Sequence, residues 1–220
     1  MIVASRKDLN EAIKWSKKNS PVAFFVLSMN GKWGVPGENP ENIVSSFKRL
    51  WPDTRAFLKR VAVMNFKDGG RIRPTELDIA YPQPKIKTQI HLDFFTLLDE
   101  MPQYMNRVED YESLETLCRE MLQLIVWKEV NQDVLEGTIC YALDKQERYE
   151  EAYQFYSDLP NKSAATASVY SLSLLDRVDV DRAEEVLGPY RVILDKDVQA
   201  RIQLLDRLKA VKSSHAHGIS

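Results

Sequence analysis

The sequence predicts an α+β protein: a mixed α/β region to about residue 105, an all-α region of helical hairpins over residues 106–212, and a short disordered tail over 213–220. Three observations predict it. Short apolar runs rich in β-branched and aromatic residues, bounded by turn formers, occur only in the first half, at residues 22–27 and 61–66. Beyond Tyr111 the apolar residues keep a helical period, and the pattern breaks only at 131–133, 160–163, 188–189 and 195–197. The charge also changes sign, with 16 basic and 11 acidic side chains to residue 100 against 14 and 21 thereafter. Because the halves nearly cancel to a net charge of -2, the whole molecule is not a polycation drawn to nucleic acid or lipid.

The elements follow in order. Ser5 and Asp8 have capping-box spacing, so a helix begins near residue 6, buries Leu9, Ala12 and Ile13, and stops at Asn19-Ser20-Pro21. Residues 22–27 read as a strand buried on both faces. Three glycines and two prolines make residues 30–40 a long loop, with Lys32 and Trp33 at its tip. Residues 41–60 read as two helical pieces broken at Trp51-Pro52, the second capped by Asp53. Residues 61–66, the turn Asp68-Gly69-Gly70 and residues 71–81 read as a hairpin whose return strand lies at an edge, because Pro74 has no amide to donate. A kinked connection over 81–87 leads to a short extended piece and a helix around residues 94–98. Residues 111–130 read as one long central helix carrying Leu114, Leu117, Cys118, Met121, Leu122, Leu124 and Ile125, and four or five helices follow in hairpin succession.

The helical half repeats. A shift of 31 residues lays Leu174 on Leu143, Ser171 on Cys140, Val180 on Tyr149, Ala183 on Ala152 and Leu187 on Tyr156. Within it, Arg148-Tyr149-Glu150-Glu151-Ala152-Tyr153-Gln154-Phe155-Tyr156 resembles the second helix of a tetratricopeptide repeat: an aromatic, a small residue three on, and a large aromatic four further. The small residue lets a paired helix approach, and the aromatics on the same face fill the space on either side. Cys140 takes the small site of the first helix. The early tryptophan and the interhelical glycine of that family are replaced by Glu136 and Glu147, and the period falls short of about 34 residues. The resemblance covers residues 132–193, with residues 198–211 as a terminal capping helix. It implies a stack with an extended surface for binding another protein, with contacts on Gln132, Glu136, Ser168 and Ser173 of the first helices, besides the loop residues Lys32 and Trp33.

Catalytic patterns are scarce. His91, His215 and His217 are the whole histidine complement, and no nucleophile elbow, phosphate-binding loop or HExxH pair occurs. Neither a cofactor nor a metal is expected. Glu76-Leu77-Asp78 followed by Lys85-Ile86-Lys87 resembles the metal-binding strands of restriction-type nucleases, with Lys85 where the second carboxylate belongs, so a degenerate metal-dependent nuclease is one alternative. The other is nucleic-acid binding through Lys48, Arg49, Arg55, Lys59 and Arg60 with aromatic neighbours. The reading preferred over both is a non-enzymatic adaptor or regulator that contacts another protein or associates with itself, since a basic and an acidic half invite head-to-tail docking. Cys118 and Cys140 both lie in helical patterns and form no framework of disulfides, and no apolar run exceeds six residues, so a reducing, cytoplasmic setting without a membrane anchor is expected.

Overall fold

A computed structural model of the chain describes residues 16–17, 21–29, 39–65, 71–73 and 87–217, with side chains described except at 21, 61–65, 87–93, 130 and 215–217. Among these residues the fold is all-α, which corrects the α+β expectation. The helices are α1 (Pro21–Met29), α2 (Pro40–Asn65), α3 (Lys87–Arg107), α4 (Tyr111–Leu124), α5 (Glu129–Lys145), α6 (Tyr149–Asp158), α7 (Ala164–Asp176), α8 (Val180–Leu187) and α9 (Lys196–His217), with a 3-10 turn at Gly188–Tyr190. Of the helix expected over 6–18 only residues 16–17 are described, and they are helical; the loop expected over 30–40 is described only at 39–40, where Pro40 opens a helix; and of the hairpin expected over 61–81, residues 66–70 and 74–81 lie outside the described residues. Two compact units divide the chain: Met1–Asp110 with Glu120–Trp127, and Tyr111–Arg119 with Lys128–Ser220.

In the first unit, α1, α2 and α3 pack on one another around an aromatic cluster. Phe25 lies 5.5 Å from Phe47, 6.0 Å from Phe94 and 6.1 Å from Trp51 between ring centroids, and Phe47 stacks on Trp51. The run 22–27 is therefore a helix buried nearly all round, with Val22, Ala23, Phe25, Val26, Leu27 and Met29 inside. Burying a side chain of this size contributes roughly 1.5–3 kcal/mol. That exceeds the few tenths by which Val and Phe disfavour a helix, up to about 0.7 kcal/mol each. The same balance carries α2 through Pro52, where an interior proline costs about 3 kcal/mol. Phe47, Trp51, Thr54 and Leu58 are buried on both sides of it, and the helix runs on through residues 61–65, which had read as a strand.

The only β-type pairing among the described residues is an isolated parallel bridge between Ile72 and Ile125. The Ile72 amide donates to the Leu124 carbonyl at 2.7 Å and the Val126 amide to the Ile72 carbonyl at 2.9 Å. This bridge explains why the helix expected over 111–130 ends at Leu124. The bridge takes up the Leu124 carbonyl, which the helix end leaves without a partner, and the Trp127 indole donates at 3.0 Å to the Met121 carbonyl, which also accepts from the Ile125 amide. Asn131 and Asp133, read from the sequence as a break, lie inside α5.

In the second unit α5 packs on α6 and α7, α7 on α8 and α9, and α8 on α9. The 31-residue relation holds at the level of burial. Leu135, Glu136, Gly137, Ile139, Cys140, Ala142, Leu143 and Asp144 are buried on α5, and their eight counterparts on α7, from Thr166 to Leu175, are buried as well. Ala152 and Ala183 on the second helices are fully buried, and Tyr156 and Leu187 nearly so. Tyr149 departs from the pattern: it is exposed, its ring lying 4.4 Å under the Arg177 guanidinium, whereas Val180 is inside.

The hairpins turn in one way. After α5, the Arg148 amide donates to the Leu143 carbonyl and the Glu147 amide to the Asp144 carbonyl; after α7, Asp179 donates to Leu174 and Val178 to Leu175. This is the Schellman arrangement, whose left-handed residue is usually glycine. Here it is Glu147 at φ 62° and Val178 at φ 61°, and Glu109 at φ 57° occupies the same place between α3 and α4. A left-handed conformation costs a residue with a side chain about 1–2 kcal/mol, most for a β-branched one.

Two substitutions test this packing by urea denaturation. An alanine Cβ at Gly137 would stand 2.7 Å from the Thr166 carbonyl oxygen and 2.9 Å from the Val169 Cβ. Gly137→Ala therefore destabilises by about 1–3 kcal/mol through overpacking, although Gly→Ala inside an unencumbered helix gains about 1 kcal/mol. Val178→Gly raises stability by about 1 kcal/mol, because the strain is released at an exposed position with no packing to lose.

Candidate interaction surface

Ionic seams tie the helices of the second unit together. Asp144, buried at the end of α5, accepts from the Arg177 Nε at 3.1 and 3.2 Å, and Arg177 also pairs with Asp179 at 2.7 Å. Burial raises the Asp144 carboxyl above its ordinary value, and the Arg177 charge opposes that shift. One repeat earlier, Glu115 on α4 accepts from Arg148 at 2.7 Å and from Gln146 at 3.1 Å. Arg182 reaches Glu150 at 2.5 Å, joining α8 to α6. Arg191 spans Glu184 and Asp206 at 2.7 and 2.9 Å, and Lys209 and Lys212 bond Glu184 and Asp181, so charges seat α9 on α8. The arginine contacts hold both carboxyls of the Arg191 seam, Glu184 and Asp206, below their ordinary values.

The residues nominated from sequence fall into three sets. Lys32 and Trp33 lie outside the described residues. Gln132 is half-buried on α5 and donates to Glu136 at 2.9 Å. Glu136, Ser168 and Ser173 are buried; Ser173 is 1% exposed and its hydroxyl donates to the Tyr170 carbonyl at 3.1 Å. These three belong to the packing of α5 and α7 with their neighbours. Gly137 passed unnoticed in the sequence, where a lone glycine inside a helical pattern was the available signal of close backbone approach.

The basic residues Lys48, Arg49, Arg55, Lys59 and Arg60 all lie on α2, a single helix rather than two. Lys48 pairs with Asp110 at 2.8 Å and Arg55 pairs with Glu120, which also accepts from the Trp51 indole at 2.6 Å. Arg49, Lys59 and Arg60 are exposed, whereas Phe47 and Trp51 on the same helix, and Phe94 beside them, are core. Glu76, Asp78 and Lys85 lie outside the described residues, and Lys87 opens α3 rather than a strand. His91 is on α3 and His215 and His217 are at the end of α9. Among the described residues no three His, Cys, Asp or Glu side chains gather as a metal site, and no helix is long and apolar enough to cross a membrane.

Large apolar side chains do gather outside, late in the chain. Val192 is 86% and Leu194 94% exposed on the link before α9, with Ile193 between them at the edge of the surface. On α9 itself Leu204 is 44% and Val211 55% exposed, although Val198, Ile202 and Leu205 of the same helix are buried. No family profile, curated protein or solved structure matches this chain. The surface is therefore read from its own chemistry.

Cys118 and Cys140 are fully buried, and burial pushes the Cys118 thiol up to about 12 and the Cys140 thiol higher still. A thiolate is the reactive form, so both are inert while the unit is folded. Labelling with a soluble disulfide reagent at pH 8 is expected to modify neither thiol in the native protein and both in guanidinium; stoichiometric labelling of the native protein would contradict the packing.

Proposed function

We propose that this chain works as an adaptor or regulator, binding another protein through the helical hairpins of its second unit. The observation that carries this reading is how that unit distributes its side chains. Several of its buried and half-buried charged groups are spent on seams between helices, Asp144 with Arg177, Glu115 with Arg148 and Arg191 with Glu184. Its exposed apolar groups are concentrated between Val192 and Val211. Monomeric proteins rarely leave large contiguous apolar patches wet, and side chains as exposed as Val192 and Leu194 are candidates for contact with a partner.

The tetratricopeptide-like register supports the same conclusion. Matching burial on α5 and α7, matching small residues at Ala152 and Ala183 and matching turns at Glu147 and Val178 are the marks of stacked repeats, which act by presenting extended surfaces. Fold alone does not assign a function, so the exposed apolar surface carries the argument and the register only agrees with it.

Cross-linking of the tagged full chain in its native cells, followed by mapping of the cross-linked peptides, tests the proposal. Cross-links from a partner protein concentrated on residues 129–217 are expected. Cross-links confined to residues 1–110, or recovery of nucleic acid in their place, would overturn it.

A further inference from the structure

α9 closes the described stack, and terminal elements of stacked helices ordinarily turn a polar face outward. This one does not. With about 100° between successive residues of a helix, Val198, Ile202 and Leu205 fall on one line, the buried one. Leu204, Leu208 and Val211 fall on a second line about a third of a turn away; Leu204 and Val211 are exposed and Leu208 is partly so. Spacings of four and three residues are those by which one helix engages another.

The charges bordering that second line are independent of it and point the same way. The second unit has seven arginines in its described part. Arg119, Arg148, Arg177, Arg182 and Arg191 each pair with a carboxylate. Arg201 and Arg207 pair with none among the described residues, and the Arg201 Nε is buried with no acceptor. These two flank the Leu204–Leu208–Val211 line on opposite sides, whereas Lys209 and Lys212 lean the other way onto Glu184 and Asp181. The face is thus an apolar stripe with the exposed, unpaired Arg207 on one border and the half-buried, unpaired Arg201, whose Nε is turned inward, on the other.

We propose that this face of α9 is a docking surface for an amphipathic helix of a partner protein whose own apolar stripe is bordered by Asp or Glu. The inference rests on the protein-binding reading above and adds the place and the chemistry of the partner. Carboxylates on the incoming helix satisfy Arg201 and Arg207, and the bidentate fork of arginine favours them. A second copy of α9 fits worse: crossing antiparallel at Leu204, it brings the two copies of Arg201 along one border and the two of Arg207 along the other and adds no carboxylate to the stripe's borders, and like charges across an interface are penalised.

The test uses the full-length protein and two designed helical peptides of roughly 18 residues, about five turns, with one leucine stripe and either Glu or Lys along its borders, titrated by fluorescence anisotropy. The Glu peptide is expected to bind at least about tenfold more tightly than the Lys peptide. Leu204→Asp is expected to weaken it about tenfold or more, and Arg201→Glu with Arg207→Glu to invert the preference. Circular dichroism and thermal melts establish that the variants are folded, which the outward position of Leu204 favours. Equal binding of the two peptides, or an affinity that Leu204→Asp leaves unchanged, overturns the proposal. A dimer seen by light scattering that Leu204→Asp dissociates also overturns it, assigning the face to a second copy. Failure of both peptides while partner cross-links still map to residues 129–217 removes this surface alone; loss of those cross-links removes the protein-binding reading itself.

Discussion

At Gly137 the backbone of α5 comes so close to α7 that a single added methyl group would meet the Thr166 carbonyl and the Val169 side chain. Much else in the second unit follows from that approach. Helices this near each other share small or polar residues along the seam, and Thr166 uses the proximity to donate its hydroxyl to the Asp133 carbonyl at 3.1 Å. With the first helices fixed at this distance, α6 and α8 lie against them through Ala152 and Ala183, where larger residues would hold the pairs apart. A glycine in mid-helix lowers the intrinsic stability of α5 by about 1 kcal/mol, a loss that the close packing offsets. The two turns then tolerate Glu147 and Val178 in a conformation that glycine would adopt more easily.

Charge takes over where apolar contact ends. Each seam puts an arginine of one helix or turn on a carboxylate of its neighbour, and the buried Asp144 requires this, since an unpaired carboxylate at that depth would be costly. Exposed pairs such as Arg191 with Asp206 contribute little stability individually and act chiefly to fix where α9 sits. Beside those pairs, large exposed apolar side chains on and just before α9, with Arg201 and Arg207, unpaired among the described residues, are the features on which the functional reading concentrates.

The sequence was most legible where periodicity and punctuation agreed. The breaks at 160–163 and 188–189, the hairpin succession and the 31-residue register all reappear, because the repeat compares like positions with like and needs no judgement between helix and strand. It was least legible in short apolar runs. Residues 22–27 carry strand formers but are buried on all sides, a situation in which helix and strand share one sequence pattern, and the packing of Phe25 among Phe47, Trp51 and Phe94 decided for the helix. The end of α4 was invisible for another reason: it depends on Ile72, some fifty residues away, bridging to Ile125. Of the nominated residues, Glu136, Ser168 and Ser173 are buried where their polarity suggests exposure, because the stack encloses those positions. Leu204 and Val211 were hidden by the converse, since apolar residues at helical spacing read as core.

The central claim, that α5 and α7 pack with their backbones in contact at Gly137, is tested most directly by proton–proton Overhauser measurements on isotopically labelled full-length protein. The account predicts strong effects from the Gly137 α-protons to the Val169 side chain and to the Thr166 α-proton, atoms placed within 3.1 Å of a Cβ built on Gly137. Strong effects from Gly137 to solvent or to residues of another helix, with none to Thr166 or Val169, would contradict it.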